Sequence, residues 1–168
     1  MKAKLEERVW WEYLTQDMRE LLKESIILYE SSQVWEQKYH DYSFVIFPAA
    51  KAYEGFLKSV FRDMGFITDE EFNGKYFRIG KALNPSLDKK FREESIYDKL
   101  VDFCRGKELP DRMWDMWKRG RNAAFHWFPT EKNRISLEEA GEILVELLDT
   151  MDLVFEGCKI NKAPGNRN

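Results

Sequence analysis

The stretch SLEEAGEILVELLDTMDLVFEG, residues 136–157, decides the fold class. Its first four residues carry the capping-box pattern, which predicts that the Ser136 hydroxyl accepts from the amide of Glu139 while the Glu139 carboxylate reaches back. Behind the cap, Ile143, Leu144, Leu147, Leu148, Met151, Val154 and Phe155 recur every three or four positions, the spacing that lines one face of an α-helix. Such a stripe must be buried against other apolar stripes, so the rest of the chain has to supply them.

Working back toward the N-terminus, the same period returns. From about Leu5 to Ser31, Val9 or Trp10, Leu14, Met18, Leu21 or Leu22, Ser25 and Leu28 predict one long amphipathic helix. A second helix is expected to start near Tyr42. Phe44, Val45, Ile46 and Phe47 lead into it, Pro48 occupies its first turn, and the helical pattern of residues 49–64 stops at Gly65. The middle holds Asn73-Gly74, Gly80 and Asn84-Pro85, which predict turns with one or two short helices. Residues 96–103 begin another helix, and Pro110 suits the first turn of the next, which carries Met113, Trp114 and Trp117. No segment alternates with period two. The expected architecture is all-α, a bundle of four or five main helices, with residues 1–160 as one domain and 161–168 as a frayed tail.

Composition agrees with one folded domain. The chain has 168 residues, 43% hydrophobic and 15% aromatic with six Trp, enough for a single core. A net charge of −3 gives no overall pull toward nucleic acid, so any phosphate-binding role must rest on a local patch. Cys104 and Cys158 have neither pairing nor metal-ligand spacing and read as reduced thiols. The N-terminus has no apolar signal core, and no apolar run approaches the roughly 20 residues that span a bilayer. A cytoplasmic protein is expected, without membrane contact, metal or cofactor.

Chemistry concentrates in WKRGRNAAFHWFP, residues 117–129. His126 carries an imidazole, the side chain best suited to moving protons near neutral pH. Arg121 is always charged and its forked donors match a phosphate or a developing oxyanion. Asn122 adds a neutral donor and acceptor. Lys118 and Arg119 would hold the flanking backbone of a nucleic acid. Together these groups suit metal-free transesterification of an RNA phosphodiester.

The bland readings stand beside this one. His126 could cap the last carbonyls of its helix. The cations could form a solvated face paired with Glu108, Asp111 or Asp115, and Asn122 could hydrogen-bond across a dimer. His40 reads as surface, and the aromatics of VWWEYL read as core or dimer surface, although bases could stack there.

Geometry adds a constraint. Five residues of ideal helix turn about 500°, which leaves Arg121 and His126 about 140° apart around the axis. Either the helix ends just past His126, as Pro129 favours, or two copies of the segment meet across a two-fold axis.

Arg121, a polar Asn122, three further residues and His126 resemble the arginine–polar–spacer–histidine signature of HEPN domains, small all-α folds that include many metal-independent ribonucleases. AAKAYEGFLKSVFRDMGF, residues 49–66, is similar to the helix that carries an acidic catalytic residue in the HEPN domain of RNase LS-type toxins, which act in toxin–antitoxin and phage-defence systems. The resemblance covers about residues 42–155. It implies that Glu54 joins Arg121 and His126, and it implies RNA, a second copy of the chain and a cognate antitoxin as partners. On the residues alone, Glu54 could instead pair with a cation of the Arg121 segment or with Lys58 one turn on, which is otherwise a candidate for binding substrate. The function expected is a metal-independent endoribonuclease of toxin or defence type. The alternative is a HEPN-like module that binds nucleotides or RNA, or scaffolds a partner, without cutting.

Overall fold

A computed structural model describes residues 4–126, 129 and 134–158, apart from the side chains at 89, 94, 122 and 123. Among these residues the secondary structure is helical throughout, with no strand, as the periodicity required. The expected tail, 161–168, lies outside the described residues.

The first helix, α1, spans Gln16–Val34 and starts later than the apolar pattern suggested. Thr15 is extended and caps it by accepting from the amide of Met18 at 3.5 Å. Residues 5–14 are instead turns and a short 3-10 helix, yet Leu5, Trp10, Trp11 and Leu14 are all buried there. Burial fixed those residues without a helical backbone, and apolar spacing alone does not distinguish the two. The indoles of Trp10 and Trp11 belong to the core.

Helix α2 spans Ser43–Asp63 and is the centre of the bundle, packing against α1 along its length. Pro48 sits inside α2 rather than in its first turn, because the Phe44–Phe47 run is already helical. A proline there interrupts the backbone ladder. The local defect is met from outside: the buried Ser25 hydroxyl of α1 accepts from the amide of Ala49 at 2.8 Å. A polar residue in an apolar stripe therefore has a defined task.

Three short elements follow, α3 (Asp69–Asn73), α4 (Ile79–Ala82) and a 3-10 turn at Lys89–Glu94, then α5 (Ile96–Cys104). Thr68 and Glu71 form a complete capping box at the start of α3. Helix α6 spans Glu108–Trp117, with Pro110 in its first turn as expected. It continues through a π-helical turn, Lys118–Asn122, into the single turn α7, Ala123–Phe125. The last helix, α8, is Leu137–Gly157, capped by Ser136, whose hydroxyl accepts from Glu139 at 3.1 Å. Its stripe from Ile143 to Val154 is buried against α2 and α6, with Phe155 packed at the edge. Inside the bundle the Tyr53 hydroxyl of α2 donates to the Met113 carbonyl of α6 at 3.2 Å. Full burial pushes that phenol well above its ordinary value.

Candidate functional site

The candidate residues sit where α6 gives way to the π turn, next to α2 and α4. The π turn is the feature that spacing did not reveal. A helix bonded i to i+5 rotates less per residue than the about 100° of an α-helix, and such turns recur at functional sites. The 140° separation of Arg121 and His126 assumed a regular helix, which this segment does not have. The helix closes at Phe125, so His126 lies just beyond the last turn and is exposed. Gly120 lets the turn lie close to α8: a Cβ there would sit 2.6 Å from Met116 Cε and about 4 Å from Leu147 and Ile143.

The four cations of α6 and the π turn have different surroundings. Arg112 pairs with Glu146 at 3.2 Å and its Nε donates to the Thr150 hydroxyl at 3.1 Å. Arg119 pairs with Glu146 and, at 3.4 Å, with Glu142, both on α8. Lys118 pairs with Asp115 at 2.9 Å and lies over the Trp114 ring. Arg121 has no carboxylate partner among the described residues. Its guanidinium lies over the rings of Trp117, 5.2 Å from the centroid, and Phe125, 5.7 Å away. Two aromatic faces therefore hold a half-buried cation whose charge no acid among the described residues neutralises.

Trp117 is itself fixed. It is 3% exposed, and Gly80 of α4 lies so close that a Cβ there would be 2.9 Å from the indole nitrogen. Phe125 packs against Phe47 of α2 with centroids 4.8 Å apart and the ring planes tilted by 38°, and both rings remain more than a third exposed. The spacing of Trp117, Arg121 and Phe125, four residues apart each time, was visible in the sequence as the signal for this arrangement.

Glu54 is half-buried on α2, on the stripe that also carries Phe47, Lys51 and Lys58. Among the described residues it has no ion pair. The alternative that a cation of the Arg121 segment neutralises it is not what the structure has, and neither is the pair with Lys58, whose ammonium lies 6.0 Å over the Phe77 ring instead. The π turn includes the backbone of Asn122, whose side chain lies outside the described residues. His40 is exposed, as expected, and borders a shallow cleft with Tyr39 and Arg134.

Cys104 and Cys158 are both free thiols. Burial pushes the Cys158 thiol up to about 12, with a smaller contribution from Cys104. Among the described residues, no three His, Cys, Asp or Glu side chains are grouped to hold a metal, and no helix is long and apolar enough to cross a membrane.

No curated protein and no solved structure matches the sequence. A family model does: RNase LS, bacterial toxin DBD domain, over residues 2–127, a span that includes Glu54, Arg121 and His126. With well over half of its length matched, the chain belongs to the family of the RNase LS bacterial toxin DBD domain.

Proposed function

We propose that the chain is a toxin-type endoribonuclease of the HEPN kind, cutting RNA without a metal and working as a homodimer in the cytoplasm. The family relation to RNase LS supports the toxin and ribonuclease class. The observation that carries the chemistry is Arg121, a permanent cation held by two rings and matched to no carboxylate among the described residues. A charge kept in that state is available to an anion from outside the chain.

In this reaction the RNA 2′-oxygen attacks the adjacent phosphorus while the bond from phosphorus to the 5′-oxygen breaks. His126 takes the proton from the 2′-hydroxyl, and an imidazolium returns one to the leaving 5′-oxygen. Arg121 stabilises the charge that gathers on the phosphoryl oxygens. Asn122 orients the phosphate, and Glu54 on the neighbouring helix, which has no ion pair among the described residues, supplies the acidic member of the set. Lys118, Arg119 and Lys58 lend positive charge to the flanking strand, the first two sharing theirs with carboxylates. The exposed Phe47–Phe125 pair beside Arg121 offers an apolar surface on which a second copy can seat its own segment. A cognate antitoxin would act by covering this region.

The test is cleavage of single-stranded RNA in EDTA by the wild type and by His126→Ala. Products ending in a 2′,3′-cyclic phosphate, absent with His126→Ala, are expected. Complete loss of wild-type cleavage on chelation contradicts the chemistry. Binding of RNA without cleavage supports the binding-module alternative. Light scattering that finds only a monomer of about 20 kDa contradicts the dimer.

A further inference from the structure

We propose that the cleft beneath Tyr76 is a subsite for an unpaired nucleobase of single-stranded RNA, adjoining the Arg121 site; this rests on the reading that RNA is the substrate. The cleft has a volume of about 320 Å³, and its lining includes Glu70, Glu71, Tyr76, Phe77, Arg78 and Leu87. Tyr76 is 94% exposed, the most solvent-facing large ring among the described residues. A ring left in water packs nothing in the fold, whereas an aromatic face at the mouth of a cleft is a stacking platform for a base of any identity.

Cations accompany the rings here. Lys81 and Lys90 lie 4.4 and 4.9 Å over Phe91, Lys58 lies over Phe77, and the Arg78 guanidinium is pinned to the carbonyls of Lys75 and Phe77. Aromatic rings interleaved with positive side chains suit a strand that alternates bases and phosphates. Of the two carboxylates in the lining, one is already engaged within the fold. Glu71 is engaged by the amide and hydroxyl of Thr68, at 2.8 and 3.2 Å. Glu70 is exposed on the rim, where it can accept from the amino group of a base.

Position links the cleft to the candidate site. Arg78 precedes α4 as its N-cap residue and Lys81 lies within it, both at the cleft, and Gly80 of α4 abuts the indole on which Arg121 lies. Phe77 meets Lys58, one turn along α2 from Glu54. A strand with its scissile phosphate at Arg121 can therefore place a neighbouring base at Tyr76.

Fluorescence anisotropy with a short single-stranded 2′-O-methyl RNA, which lacks the attacking hydroxyl, separates binding from cleavage. Tyr76→Ala is expected to weaken binding about 5- to 150-fold, the range for losing one stacked base, while Tyr76→Phe binds like the wild type. Arg78→Ala should weaken binding and lower its salt dependence. Tyr76→Ala binding as tightly as the wild type overturns the subsite. So does a wild type that ignores the RNA but captures an acidic peptide through Tyr76. Cleavage of unmodified RNA is scored separately: Tyr76-dependent binding without cleavage keeps the subsite and sinks the ribonuclease reading, whereas cleavage indifferent to Tyr76→Ala does the reverse.

Discussion

Arg119 and Arg121 stand two residues apart in one π turn and have opposite surroundings. On the α8 side, Arg119 is matched by Glu142 and Glu146, and Arg112 shares the second of these acids. On the side of α2 and α4, Arg121 rests on Trp117 and Phe125 with no carboxylate partner among the described residues. A surface cation with a carboxylate partner contributes at most about 1 kcal/mol to stability and has its field partly cancelled. A cation held by rings keeps its field. The basic run at 118–121 is therefore two features, a brace between helices and a cation on rings with no carboxylate partner among the described residues.

The strongest way to break this comparison is through His126, the proposed proton carrier. His126→Ala should lower RNA cleavage by about 100-fold or more, with the melting temperature little changed because the side chain is exposed. Activity equal to the wild type would leave the α2 side without chemistry.

Glu54→Gln sharpens the same side. A buried ion-pair member would cost about 3–5 kcal/mol on losing its charge. Glu54 has no ion pair among the described residues, so unfolding should shift by less than about 1 kcal/mol while cleavage falls. A large stability loss with intact cleavage would return Glu54 to a structural role.

Gly80→Ala tests the platform. The new methyl meets the Trp117 indole, a ring that has no slack at 3% exposure. Overpacking of about 1–3 kcal/mol is expected in denaturant melts, together with slower cleavage as the ring under Arg121 moves. Unchanged stability would mean that the contact is looser than the geometry indicates.

The smallest effects should fall on the brace. Arg119→Ala should cost about 1 kcal/mol or less. Lys118→Ala should weaken RNA binding only a few-fold, because Asp115 already shares its charge.

Much of the fold was legible because burial and backbone period coincide in α2, α5, α6 and α8. They part at the N-terminus, where Leu5, Trp10 and Leu14 are buried by turns, and Thr15 was the cap that marked the true start of α1. Pro48 misled because its remedy, the Ser25 hydroxyl, comes from another helix 23 residues earlier. At the site, residue types identified the candidates, and the Trp117–Arg121–Phe125 spacing already held the ring contacts. The π turn was not legible, since an i to i+5 turn leaves no periodic signature in one short segment. Nor were the partners of Arg119, because Glu142 and Glu146 meet it only once α8 has packed.

In the proposed reaction it is Arg121, and not Arg119, that carries the charge. Single-turnover cleavage at saturating RNA, with Arg121→Ala and Arg119→Ala compared in one buffer, tests it most directly. Arg121→Ala is expected to lose about 100-fold or more in rate, while Arg119→Ala stays within a few-fold of the wild type. Equal losses in the two variants, or a larger loss at Arg119, would contradict it.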